Sequence, residues 1–367
     1  MQGGIPIDDV DALQRYWAVC PQLRHSLFVE RRPGYVDLVP ERSGIKAAIY
    51  EHPEFTSFVA GMNAHFAAWR QMSGATLKAL EAGCHPKEVI AQLSEGLLAH
   101  YAGQPLIDPY DVYQHLMDDW NETMQDDCYI IAGDGWVKGA QPREIVQVKN
   151  KEGKLVWPEP HDYVIGKRRF KSDLVSAEIL VAKYFASERD ALSRLDNQLA
   201  ALEQQLEEMR DEHSGEDGLL SEVIEGEGDK QKITVKAASA RLKEIGKDTL
   251  FADERDALET YAALLEQLTK AKAKRKAAQS DLDNKIHAKY PKLTEGEVKA
   301  LIIDDKWMAR LSRDVQSEVD RVSHALTNRI RELAERYATP LPRLADDVSA
   351  LTARVEEYLS LMGATRH

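Results

Sequence analysis

Leu192-Ser-Arg-Leu195-Asp-Asn-Gln-Leu199-Ala-Ala-Leu202-Glu-Gln-Gln-Leu206-Glu-Glu-Met209 returns an apolar residue at alternating steps of three and four. That 3.5-residue period keeps one apolar stripe on a single side of an α-helix, as in the seam of a coiled coil. Phe185 extends the stripe seven residues upstream. The polar positions between are filled largely by Ala, Glu, Gln and Arg, all good helix formers. The stretch therefore predicts a long helix with one face covered by another. It stops at Asp211-Glu-His-Ser-Gly-Glu-Asp-Gly218, because two glycines in four residues are costly inside a helix.

Three further seams follow. One runs through Leu258, Tyr261, Leu265 and Leu268, passes Lys272, Arg275 and Gln279, and resumes at Leu282 and Ile286. Another occupies Val315, Val319, Val322, Leu326, Ile330, Leu333 and Tyr337. The last, after the Pro340-Leu-Pro342 break, is Leu344, Val348, Leu351, Val355, Tyr358 and Met362. No proline occurs between Pro160 and Pro291. Short breaks between long amphipathic helices predict antiparallel neighbours in a bundle. Intramolecular packing accounts for most such seams. The terminal one has the fewest sequence neighbours to cover it, so Leu344, Val348, Leu351, Val355, Tyr358 and Met362 are the candidate subunit interface.

Upstream the texture changes to short amphipathic stretches punctuated by Gly and Pro. Pro53 and Glu54 suit a first helical turn, predicting a helix to Arg70. A second follows His85-Pro86, with Val89, Ile90, Leu93, Leu97 and Leu98 on its apolar face, and a third starts at Asp108-Pro109 and runs through Trp120. Alternation over Glu144–Lys149, a turn at Asn150–Lys154 and Leu155-Val-Trp157 predict a small hairpin. The expected fold is mainly α: a mixed helical domain with a small β-hairpin over 1–172, then a long-helix, coiled-coil-like antiparallel bundle over 173–367.

The 367 residues carry 61 acidic against 48 basic side chains, a net charge of -13. That opposes a surface that grips nucleic acid everywhere, while permitting a local basic face. No run of about 18 uncharged apolar residues exists, so no membrane span is expected. The N-terminus lacks the basic and apolar regions of a signal peptide. Cys20, Cys84 and Cys128 form no CxxC pair, which fits a reducing cytoplasm and gives no zinc site. Phosphate-cradling glycine loops, HExxH, the zinc-deaminase pattern and the GxSxG elbow are all missing. Gly133-Asp-Gly135 and Gly226-Glu-Gly228 read as turns, and Cys84-His85 has no partners at ligand spacing. No catalytic, cofactor-binding or metal-ligating residue is assigned.

Two basic clusters carry a binding reading. Lys270, Lys272, Lys274, Arg275 and Lys276 place five cations in seven residues of a helix. They form either a solvated face or a contact to phosphate or an acidic partner. Lys167, Arg168 and Arg169, with Lys171, Trp157 and Tyr163 nearby, are either a basic loop before a helix or a contact to a nucleic-acid backbone. The carboxylate-rich stretch from Glu203 to Asp229 repels DNA or docks on a basic protein.

Several stretches together resemble the C-terminal part of the modification (methyltransferase) subunit of type I restriction-modification systems. They are Gly3-Gly-Ile-Pro6 with Asp8, Asp11, Leu13 and Tyr16-Trp17, and His52-Pro-Glu-Phe55. Leu106-Ile-Asp-Pro-Tyr-Asp-Val-Tyr-Gln114 continues through Met117, Trp120 and Met124-Gln-Asp-Asp127, and Glu212-His-Ser-Gly-Glu-Asp-Gly-Leu-Leu220 comes last. The later helices match in character rather than by motif. The resemblance implies an N6-adenine DNA methyltransferase subunit that uses S-adenosylmethionine and flips its base out of the duplex. It also implies assembly with a specificity subunit, a second modification subunit and a restriction subunit, and contact with double-stranded DNA through the complex.

The family's glycine-rich cofactor motif and its Asn-Pro-Pro-Tyr/Phe motif are both missing. Asn63, Asn121, Asn150, Asn197, Asn284 and Asn328 are each followed by a residue other than proline. Asp108-Pro109-Tyr110 lacks the second proline and reads as a helix start. The expectation is an assembly and DNA-clamping region without its catalytic domain, inactive alone. The alternative is a self-contained coiled-coil scaffold with no DNA role.

Overall fold

The computed structural model describes residues 4–213, 215, 218–225, 232–338 and 341–361. Helices hold 74% of the described residues and the strands form small antiparallel groups, so the fold is mainly α with a small β part. The chain divides into two compact units, one made of 1–135 with 302–367 and the other of 136–301.

The first unit begins with a three-stranded antiparallel sheet in the order Ile5–Pro6, Tyr35–Leu38, Phe28–Arg32. The helix expected to end at Arg70 runs from Pro53 to Lys78. Buried Ser73 and Leu77 keep its last two turns against the core. His52 caps it by accepting from the Glu54 amide through Nδ1 at 3.3 Å. Glu54 itself accepts the Leu23 amide at 3.0 Å, tying the helix to its neighbour Pro21–Leu27. The second helix is Pro86–Tyr101, burying Val89, Leu93, Leu97 and Tyr101. The third, Pro109–Asp119, passes into one π-helical turn, Trp120–Met124, and on into a helix from Gln125.

The seam from Val315 to Leu333 completes this core. On the helix Ala309–Arg336, Val315, Val319, Val322, Leu326, Ile330 and Leu333 are all buried. It packs against Pro109–Asp119, the short helix Ile45–Tyr50, and Pro53–Lys78. Tyr337, the last residue of that seam, hydrogen-bonds through its hydroxyl to Asp9 Oδ2 at 2.5 Å.

The second unit holds the two longest seams side by side. Ala186–His213 and Ala252–Lys289 form its most extensive helix pair. Lys272 meets Glu203 at 2.8 Å, Arg275 meets Asp196 at 2.9 Å and Lys285 meets Glu188 at 3.2 Å. As one member advances along the chain its partner retreats, which is the antiparallel arrangement expected. Leu206, Leu258 and Tyr261 join Leu220, Val223, Ile233, Ala238 and Ile245 in a core cluster at one end. At the other, the antiparallel sheet Arg143–Ile145, Arg168–Lys171, Tyr163–Ile165 packs on Ala252–Lys289. Tyr163 stacks on Phe170 and on Tyr290 at 5.5 and 6.1 Å, and its hydroxyl pairs with His287 Nδ1 at 3.0 Å.

The expected hairpin is present: Val148 pairs with Val156 and Lys149 with Leu155. Asn150 sets its turn, its Oδ1 accepting the Glu152 and Lys154 amides at 3.0 and 2.9 Å. Gly153 takes the left-handed φ of 77° that closes it. Texture placed one boundary near residue 172. The compact units instead divide after Gly135 and again after Leu301, because Ala309–Arg336 returns to the N-terminal helices and the 143–171 strands pack on the later ones.

Candidate assembly and nucleic-acid interface

The terminal helix Leu341–Leu361 carries the fourth seam, and its apolar stripe faces solvent. Val348, Leu351, Val355 and Tyr358 are 61, 59, 55 and 57% exposed. The equivalent stripe on Ala309–Arg336 is buried throughout. Leu359 and Leu361 widen the exposed surface. The Leu344 side chain and the whole of Met362 lie outside the described residues. Burying a Val or Leu side chain stabilises by about 1.5–3 kcal/mol, so the uncovered stripe of Val348, Leu351, Val355 and Tyr358 leaves that stabilisation unused.

The 270–276 run is on the outer part of the helix pair, with buried Ala271 in the seam itself. Lys270 pairs with Glu266 on its own helix at 2.6 Å. Lys272 and Arg275, which interrupt the apolar stripe, reach across to Glu203 and Asp196. Lys274 and Lys276 are exposed. The anionic surface that this run faces is thus in good part the acidic flank of the neighbouring helix.

The second cluster lies on a hairpin, not on a loop before a helix. Gly166, at φ 63°, turns the chain between Ile165 and Arg168 and leaves Lys167 exposed at the tip. Arg168 donates to Glu144 on the neighbouring strand, from Nε at 2.8 Å, and this holds the Glu144 carboxyl below its ordinary range. Arg169 lies over the Trp157 ring at 4.0 Å, a cation–π contact. Beside them, Arg143 grips Asp173 and Glu159, and Lys171 joins Glu159 at 2.8 Å. Hydrogen bonds from Arg143 and Lys171 bring the Glu159 carboxyl down to about 2. The adjoining Val148–Val156 hairpin projects Lys149, Lys151 and Lys154 into solvent, together with exposed Val146, Val148 and Leu155.

Asp108-Pro109-Tyr110 is a helix cap. Asp108 Oδ1 accepts the Tyr110 amide at 2.9 Å and Pro109 occupies the first turn. Its carboxylate thus holds the first turn of the helix.

Sequence reading missed the buried charges of the first unit. Asp127 accepts from Lys306 Nζ at 2.8 Å and from Trp307 Nε1 at 2.7 Å, joining the helix from Gln125 to the π-helical stretch Ala300–Met308. Glu318 is held by His115 at 2.9 Å and Arg321 at 2.6 Å. Asp119 is buried beside Arg310 and Asp314, and loss of solvent pushes its carboxyl up to about 6. Their one local signal was an acid at a position the helical period assigns to the inner face. Among the described residues no group of three or more His, Cys, Asp or Glu is placed to hold a metal ion, and no helix is long and apolar enough to cross a membrane. No protein-family model, no characterised protein and no solved structure matches this chain.

Proposed function

We propose that this chain is the C-terminal assembly and DNA-clamping region of a type I restriction-modification N6-adenine methyltransferase subunit. The exposed stripe of Val348, Leu351, Val355 and Tyr358 on the terminal helix carries the assembly part of the reading. A helix of the specificity subunit covers it, in the way a second helix covers a coiled-coil seam. The chain transfers no methyl group by itself, since neither an Asn-Pro-Pro-Tyr/Phe motif nor a glycine-rich cofactor loop is in its sequence. S-adenosylmethionine belongs to the catalytic part of the parent enzyme. A second modification subunit and a restriction subunit join through the same complex.

DNA contact is assigned first to the exposed cations of the two hairpins, Lys149, Lys151 and Lys167; Lys154 already pairs with Glu152 at 3.2 Å. Lys274 and Lys276 are the second choice, because Lys272 and Arg275 already have carboxylate partners. Phosphate contacts of this kind position a protein without reading sequence.

Mixing the full chain with the cognate specificity subunit tests the assembly reading by size-exclusion chromatography with light scattering. A stable complex is expected, and Leu351→Asp with Val355→Asp abolishes it while leaving helicity and thermal unfolding unchanged. Absence of any complex, or a self-dimer through the same residues, overturns the reading in favour of a coiled-coil scaffold.

A further inference from the structure

His65 and His100 sit face to face between two helices of the first unit. Their rings stack at 3.8 Å between centroids and 14° between planes. The hydrogen bonds are reciprocal: His65 Nε2 meets the His100 carbonyl and His100 Nε2 meets the His65 carbonyl, each at 2.8 Å. A carbonyl oxygen only accepts, so both neutral rings carry their proton on Nε2 and leave Nδ1 bare. The His65 carbonyl, inside its helix, thus gains a second donor, and the His100 carbonyl, in the last turn of its own, gains a donor from the facing helix.

Further protons enter only at Nδ1. The first makes one imidazolium, which strengthens its bond to the facing carbonyl. The second sets two cations in stacked contact. The charged groups of the Pro86–Tyr101 helix itself, Lys87, Glu88 and Glu95, are exposed. Tyr101, in edge contact with both rings at 4.9 and 5.8 Å, stays neutral, because burial pushes its hydroxyl up to about 12. On Pro53–Lys78, Glu54 is bound to the Leu23 amide, and Arg70 and Lys78 face Asp304. Across from that helix, Arg24 faces Asp11, Lys46 lies over Tyr50, and Asp320 takes Gln316. On Pro109–Asp119, Asp111 and His115 face Arg321 and Glu318, and Gln114 bonds Asp118. The groups acting on His65 are burial, the His100 carbonyl and the His100 ring, and the net effect holds the imidazole below its ordinary range.

We propose that the His65–His100 pair is an acid-released latch between the Pro53–Lys78 and Pro86–Tyr101 helices, closed while at least one ring is neutral and opened when both are charged. Opening parts the two rings and loosens the contact between the two helices, while Val89, Leu93 and Leu97 stay buried. The occupant of each Nδ1 is a solvent proton, so the device reads pH and needs no ligand.

Groups in such close contact take up protons in macroscopic steps that belong to the pair. NMR titration of the imidazole resonances in the full chain, from pH 8 to 4.5, measures this directly. Two steps separated by about one pH unit or more are expected, whereas a common step at the ordinary imidazole value overturns the latch. Hydrogen exchange gives the second reading. After correction for intrinsic exchange, protection across residues 86–101 should fall about tenfold between pH 7.5 and 5. His65→Gln keeps an amide donor for the His100 carbonyl but cannot be charged, so its protection should be flat over the same range. An equal fall in wild type and variant overturns the proposal. Should the variant fail to fold, the wild-type titration decides alone.

Discussion

Arg275 Nε donates to Asp196 Oδ1 at 2.9 Å, joining two residues that lie far apart in the chain across an antiparallel helix pair. With Lys272 on Glu203 and Lys285 on Glu188, it fixes the register of Ala186–His213 against Ala252–Lys289. Part of the most basic stretch of the sequence is therefore internal electrostatics. These partners are half-exposed, so each pair contributes little and is screened by salt.

Arg275→Ala and Lys272→Ala should each lower stability by about 0.2–1 kcal/mol at low salt, and by less at 1 M. Urea unfolding of the free chain at two salt concentrations measures it. Unchanged unfolding in both variants at low salt would mean that the cross-helix pairs contribute nothing, leaving these cations available to a ligand.

Asp127 is buried between Lys306 and Trp307, both of which donate to it. Asp127→Ala removes the acceptor shared by a half-buried ammonium and an indole N–H, at a cost of about 1–3 kcal/mol. Thermal and urea unfolding of the first unit's signal report it. Asp127→Asn keeps one acceptor and should lose less.

Asp119 points to an opposite pH dependence from His65. Burial raises its carboxyl to about 6, above the value it has when unfolded, so the folded chain holds that proton more tightly. Its contribution is fully present below the unfolded value near 4 and is lost as pH rises through about 6. Asp119→Asn, which has no charge to bury, should therefore gain relative to wild type by roughly 1–2 kcal/mol at pH 8 and by little at pH 4. Paired urea titrations at the two values measure the difference; a variant that is weaker at pH 8 would show that Arg310 more than compensates the burial.

Asp108 holds the start of Pro109–Asp119 through the Tyr110 amide. Asp108→Ala should cost about 1 kcal/mol and Asp108→Ser much less, since serine also caps. Thermal unfolding separates them.

The heptad spacing of Leu192 to Leu206 was legible because a covered helix face must repeat with the helix. The same logic revealed the Val315–Leu333 core helix and the stripe of the terminal one. What spacing could not convey was the partner. Val322 and Val355 occupy similar patterns, yet one is buried and the other 55% exposed. Hairpin chemistry was equally local: Asn150 and Gly153 announce their turn, and Lys167 was legible as a cation but not as the tip of a second hairpin. The Asp127–Lys306 bond and the His65–His100 stack depend on residues brought together by tertiary packing, for which no local period exists. The two-unit division failed to show in texture for the same reason, as it turns on where Ala309–Arg336 returns.

That return imposes an order on biosynthesis. The first unit is discontinuous, its N-terminal helices being separated from Ala309–Arg336 by the whole of the second unit. A ribosome delivers Pro109–Asp119, with Val112 and Leu116 on its inner face, long before Val315 and Val319 emerge to cover it. The inserted unit has all its own strands and helices by then and is free to fold first, as domains do during synthesis. The N-terminal helices wait with apolar surface uncovered. Ribosome stalling or a stop codon anywhere between 136 and 308 would leave a well-formed insert attached to an uncapped, aggregation-prone N-terminal half.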